Sequence, residues 1–96
     1  MTAIIQKIKS ITAEEFGVTV EQMEGLARNQ MPTIARQAAM FLIMDHCGLN
    51  ECTVGQLFNR HHGTVYNAKK QTQNALDVNK GFRATIKIIT ERINHE

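Results

Sequence analysis

Apolar positions recur along most of this chain with the period of a helix, and no segment sustains the two-residue alternation of a half-buried strand. The opening stretch sets Ile4, Ile8 and Ile11 on one face, with Ile5 and Phe16 widening the stripe. Gly17 then supplies a residue able to take the left-handed conformation that closes many helices. Thr19-Val20-Glu21-Gln22 has the pattern of a capping box and predicts a short second helix ending by Gly25 or Leu26. Arg28 to Met31 is polar and aperiodic, and reads as a loop. Pro32 suits the first position of a helix, where its missing N–H costs nothing, and the residues after it predict a helix to His46 that Gly48 stops. That helix is apolar nearly all round, with Ile34, Ala38, Phe41 and Leu42 on one period and Ala39, Met40, Ile43 and Met44 filling the rest. Such a helix belongs at the buried centre of a bundle.

The second half is more polar. Glu51 to Phe58 reads as a short helix with Val54, Leu57 and Phe58 turned inward. Gly55 within it costs about 1 kcal/mol of helix propensity, which is tolerated where another helix must approach closely. Asn59 to Gly63 is a tight polar turn, and a longer helix runs from Thr64 to about Asp77 with Val65, Ala68, Thr72 and Leu76 inside. Asn79-Lys80-Gly81 breaks the chain again. The last helix carries Phe82, Ile86, Ile89 and Ile93 as one narrow stripe, which seals a core or pairs with a second copy. A stripe this narrow favours the core, in a monomer or weak dimer. The predicted fold class is all-α, about six helices in a single domain over residues 1–96.

Composition narrows the function. Ninety-six residues, 43% hydrophobic and 21% charged, suit one globular domain, and with no Trp its core is largely aliphatic. No apolar run approaches the ~20 residues of a membrane span. Cys47 and Cys52, without a secretory signal, point to a reducing cytoplasm. The net charge of +2 conceals an asymmetry. Residues 1–58 hold four basic against six acidic residues, and residues 59–96 hold seven against three. From Arg60 to Leu76 there are three basic residues, two histidines and no acid. This is the pattern of a solvated helix face or of a surface that meets phosphate.

Other chemistry finds little support. Cys47 and Cys52 are spaced Cys-x4-Cys, with the adjacent His61 and His62 after eight more residues, which is not the spacing of a zinc finger. No metal or cofactor is expected. Ser10 is the single serine, Glu14 and Glu15 diverge on a helix, and no Gly-rich loop precedes a Lys-Ser or Lys-Thr pair, so an enzyme is not expected either.

A short helix, a tight turn and a longer polar helix form the layout of a helix-turn-helix reader of DNA. His62, Gly63 and Thr64 at the start of the longer helix, with Asn67 and Lys70 one turn on, have the hydrogen-bonding groups that read base edges or hold phosphate.

Residue identities sharpen this. Arg60-His61-His62-Gly63-Thr64-Val65 resembles the signature of the C-terminal DNA-binding domain of the bacterial replication initiator DnaA, roughly Arg-Asp-His-(Thr/Ser/Ala)-Thr-Val. Ala13 to Val18, Val20 to Met23, Ala35 to Leu42 and Val54 to Phe58 are similar to further segments of that domain, in order, from about Ile5 to Ile93. The resemblance implies a fold of the Trp-repressor-like kind and recognition of double-stranded DNA, with the recognition helix in the major groove and a basic loop before the central helix in the minor groove. By residue match it carries Arg60, His62 and Thr64 of the signature and Arg36 of the central helix over to the DNA, and position on the longer helix and in the loop adds His61, Gly63, Asn67, Lys69, Lys70 and Arg28. His61 stands where the family has Asp, Gly63 where it has a hydroxyl or methyl, and Ile34 where it has a minor-groove arginine. Initiators also carry an ATPase domain, for which this chain has no room.

Two functional classes follow. One is a sequence-specific reader of DNA without the motor, as a phage or mobile element uses to regulate transcription or replication, in a bacterial cytoplasm and with replication or transcription proteins as partners. The other is a protein-interaction module that kept the fold and lost specific DNA reading.

Overall fold

The structure, a computed structural model, describes residues 2–25 and 29–95. Among these residues six helices and no strand occur: α1 (Thr2–Phe16), α2 (Val20–Glu24), α3 (Gln30–Cys47), α4 (Glu51–Phe58), α5 (His62–Val78) and α6 (Lys80–His95). Their boundaries follow from local chemistry. Gly17, at φ +72°, ends α1 in a Schellman turn: its N–H bonds the Glu14 carbonyl and the N–H of Val18 bonds that of Ala13. Thr19 and Gln22 form the expected capping box at the head of α2. Gly48, also left-handed, closes α3.

Three boundaries differ from the sequence reading. The central helix starts at Gln30, so Pro32 is its third residue and Met31 belongs to it. The first-turn N–H groups have no intrahelical acceptor, so proline fits anywhere in that turn. The fifth helix, the candidate recognition helix, starts at His62, because His61 caps it and Gly63 takes no positive φ. Asn79 alone separates α5 from α6, its side chain accepting the Phe82 N–H at the start of the next helix.

α3 packs against α1, α2, α4 and α5, and Ala35, Ala38, Ala39, Met40 and Ile43 on it are fully buried. Its small residues let the neighbouring helices come close. Ile8 and Ile11 of α1, Val54 and Phe58 of α4, Val65 and Ala68 of α5, and Ile86, Ile89 and Ile93 of α6 complete the core. The terminal isoleucine stripe is thus spent inside the chain. Leu57, expected inside, is 38% exposed, because Gly55 takes the inward place beside Val54 and Phe58. Arg92 of α6 bonds Glu14 and Glu15 of α1 at 3.1 and 3.0 Å, and the Phe16 and Phe82 rings lie 5.9 Å apart, so the two ends of the chain are tied together.

Candidate nucleic-acid interface

The turn between α4 and α5 is built around a close backbone approach. Asn59 sits in the left-handed region at φ 55°, its N–H bonding the Gln56 carbonyl, while the Arg60 N–H bonds the Gly55 carbonyl at 2.7 Å. This is a second Schellman turn, with Asn in the position that usually falls to glycine. A Cβ on Gly55 would stand 2.6 Å from the Arg60 carbonyl oxygen. Gly55 therefore offsets its cost in helix propensity by letting the turn fold back on α4.

His61 follows as the N-cap of α5. Its Nδ1 accepts the Gly63 N–H at 3.0 Å, and its ring lies 4.2 Å from that of His62. Val65, Ala68 and Thr72 face the core, which turns His62, Thr64, Asn67 and Lys70 to solvent, where all four are exposed. Gly63, between them, is half-buried. Lys69 is half-buried and lies 3.9 Å from the Glu51 carboxylate at the head of α4, which draws its charge toward that helix.

The remaining arginines are placed differently from one another. Arg60 and Arg36 turn inward onto backbone carbonyls: Arg60 onto Phe58 and Gly25, and Arg36 onto Met23 and Gly25. Burial, and then the like charge of Arg60, lower the pKa of Arg36 from the ordinary guanidinium range. Arg28 lies outside the described residues. Ile34, in the position of the family's minor-groove arginine, is half-buried and lines a recess with Gln37, Gln71 and Phe82.

Two side chains join this surface that the sequence reading passed over. Tyr66, 59% exposed, and Gln73 line a recess of about 260 Å³ with Lys69 and Lys70 on the outer side of α5. Tyr66 follows the core residue Val65 directly, and its place on a mostly polar helix was the available signal. Among the described residues no group of three His, Cys, Asp or Glu could hold a metal ion. Among them, too, no helix is long and apolar enough to cross a membrane.

An eight-residue helix, a turn closed on a glycine and a polar helix with its first turn exposed define a DNA-binding helix-turn-helix domain. The chain belongs to the family described as bacterial dnaA protein helix-turn-helix, whose model matches residues 5–71. It is similar to the chromosomal replication initiator protein DnaA of Mycoplasma capricolum, at 30% identity over 93% of the chain and 20% of that relative. Its identity to the proteins of the same name from Picosynechococcus sp. and Mycobacteroides abscessus is 34%, over 92% and 90% of the chain and 20% and 18% of those relatives. The chain thus spans about one fifth of the length of the curated relatives it matches.

Proposed function

We propose that the chain reads double-stranded DNA in a sequence-specific way through the first turns of α5. The observation that carries this is the exposed row His62, Thr64, Asn67 and Lys70, on a helix that holds no acidic residue until Asp77. Thr64 and His62 would meet base edges, Asn67 suits an adenine, and Lys70 suits guanine or phosphate. The positive end of the α5 dipole adds a preference for phosphate. His61 shapes the start of the helix, and Lys69, shared with Glu51, has a secondary place on the rim. Arg28 is the basic residue of the loop proposed to approach the minor groove.

In this reading the chain regulates replication or transcription in the bacterial cytoplasm, as a phage or mobile element would use it, and does not hydrolyse ATP. The changes at His61, Gly63 and Ile34 support a DNA site different from the box that the initiator signature reads. Selection of bound sequences from random DNA gives that site, and anisotropy on it tests the mechanism. If about four phosphates are neutralised, the logarithm of affinity falls with the logarithm of salt at a slope near −3.6. His62→Ala combined with Thr64→Ala abolishes sequence preference while the fold, read by circular dichroism, stays intact. A flat salt response with no enriched sequence overturns the proposal.

A further inference from the structure

Three basic side chains from three parts of the fold converge on the end of α2. Lys9 of α1 reaches the Glu24 carboxylate at 2.7 Å. Arg36 of α3 donates to the carbonyl oxygens of Met23 and Gly25 at 3.2 and 3.3 Å. Arg60, between α4 and α5, donates through Nη1 to Phe58 at 3.2 Å and through Nη2 to Gly25 at 2.7 Å, with the Glu24 carbonyl at 3.5 Å. The last carbonyls of a helix have no intrahelical donors and carry the negative end of its dipole. A guanidinium can serve several of them at once because its donors form a rigid fork, whereas an ammonium acts as a single point.

We infer that Arg36 and Arg60 are positioning residues, which clamp the end of α2 to the helix-turn-helix and so fix where α5 begins, and are not phosphate contacts. The consequence for DNA rests on the reading proposed above; the clamp itself rests on geometry. Arg60 precedes His61, the cap of α5, and its own N–H closes the turn on Gly55. The far end of its side chain is held 35 residues away at Gly25. The head of α5 therefore has one anchor within the turn and a second on α2. Arg36 reaches the same Gly25 oxygen from α3, so α2, α3 and the turn share one point. Both guanidiniums spend donors on backbone carbonyls of the protein.

Arg60→Ala and Arg60→Lys test this beside the wild type, with Lys70→Ala as control. Each binds a short mixed-sequence DNA duplex over a range of salt, and amide hydrogen exchange is followed in the DNA-free proteins. The clamp predicts that Arg60→Ala, still folded, binds about tenfold more weakly with an unchanged salt slope. Lys70→Ala instead lowers the slope by about 0.9. Arg60→Lys keeps the charge without the fork and behaves like Arg60→Ala. Without DNA, exchange quickens both at Gly25, whose N–H bonds Glu21, and at Thr64, whose N–H bonds His61. A slope lowered by about 0.9 in Arg60→Ala makes Arg60 a phosphate contact and overturns the inference. A loss of stability with unchanged affinity overturns it as well. If the wild type binds no duplex, the DNA reading fails and exchange still decides: coupled quickening supports the clamp, and unchanged exchange at Gly25 overturns it. If Arg60→Ala does not fold, Arg60→Lys decides by affinity and exchange: a tenfold loss with quickened exchange supports the clamp, and wild-type affinity overturns it.

Discussion

An imidazole nitrogen holds the place at the head of α5 that a carboxylate or hydroxyl oxygen usually holds in a helix cap. His61 Nδ1 accepts the Gly63 N–H, and a Cβ on Gly63 would come within 3.2 Å of that same nitrogen. The two departures from the family signature, His61 for Asp and Gly63 for a residue with a side chain, therefore meet in space: the ring lies close to where a side chain at position 63 would begin. This makes the pair energetically coupled. Gly63→Thr alone makes the ring give by a few tenths of an ångström, which strains its cap bond, and should cost up to about 1 kcal/mol, the usual value of an N-cap. In a His61→Asp background the carboxylate caps with less bulk, and the same substitution should cost close to nothing. A double-mutant cycle from denaturant unfolding reads the coupling, and additive effects would show that ring and Cβ do not compete. The sequence shows both departures and places both residues at the DNA, but not that the ring of one crowds the position of the other.

At the scale of elements, legibility followed chemistry that acts within a few residues. The end of α1 at Gly17, the capping box of α2, the full span of α4 and the stop at Gly48 all rest on contacts between residues at most five apart, and they were read correctly. The heads of α3 and α5 lie earlier than Pro32 and Gly63 suggest, because proline and glycine both also fit a first helical turn. Leu57 was misplaced because an eight-residue helix has too few turns for its period to say which side a marginal position takes. At Gly55 the close approach comes from the turn that directly follows α4 and not from another packed helix, and it yields a test in which two effects oppose. Helix propensity alone makes Gly55→Ala stabilising by about 1 kcal/mol. The contact of 2.6 Å with the Arg60 carbonyl is with backbone, which cannot swing aside. Overpacking of this sort costs roughly 1–3 kcal/mol, so the net effect should be destabilising. Because the turn leads directly into α5, the variant should also lose DNA affinity. Thermal unfolding together with anisotropy checks both, and a raised melting temperature would mean that the turn opens without penalty.

Taken as a whole, the molecule uses its charges for two separate tasks, which a net charge of +2 and even the split at Phe58 do not distinguish. Lys70 on α5 stays exposed, while Lys9, Arg36, Arg60, Arg83 and Arg92 hold helices to one another or cap them. Helical periodicity tells which face is apolar, but not which cation bends inward to find a carbonyl 35 residues away. That choice exists only once the helices are assembled. Lys9 is the clearest case. It is 3% exposed, on the inner side of α1 between Ile8 and Ile11, and its ammonium lies 4.7 Å from the centre of the Phe58 ring with Glu24 as its carboxylate partner. One side chain thus joins α1, α2 and α4. An ammonium held away from water depends on its partner, so removing the carboxylate should harm more than removing both charges. Glu24→Gln should cost about 1–2 kcal/mol, below the 3–5 kcal/mol of a fully buried pair because Glu24 is partly exposed. Lys9→Met combined with Glu24→Gln should recover most of that loss, since the thioether chain fills the same space and stacks on Phe58 without a charge to solvate. Denaturant unfolding of the two variants against the wild type measures this. A double variant less stable than Glu24→Gln alone would mean that the attraction of Lys9 to the Phe58 ring outweighs the desolvation of its charge.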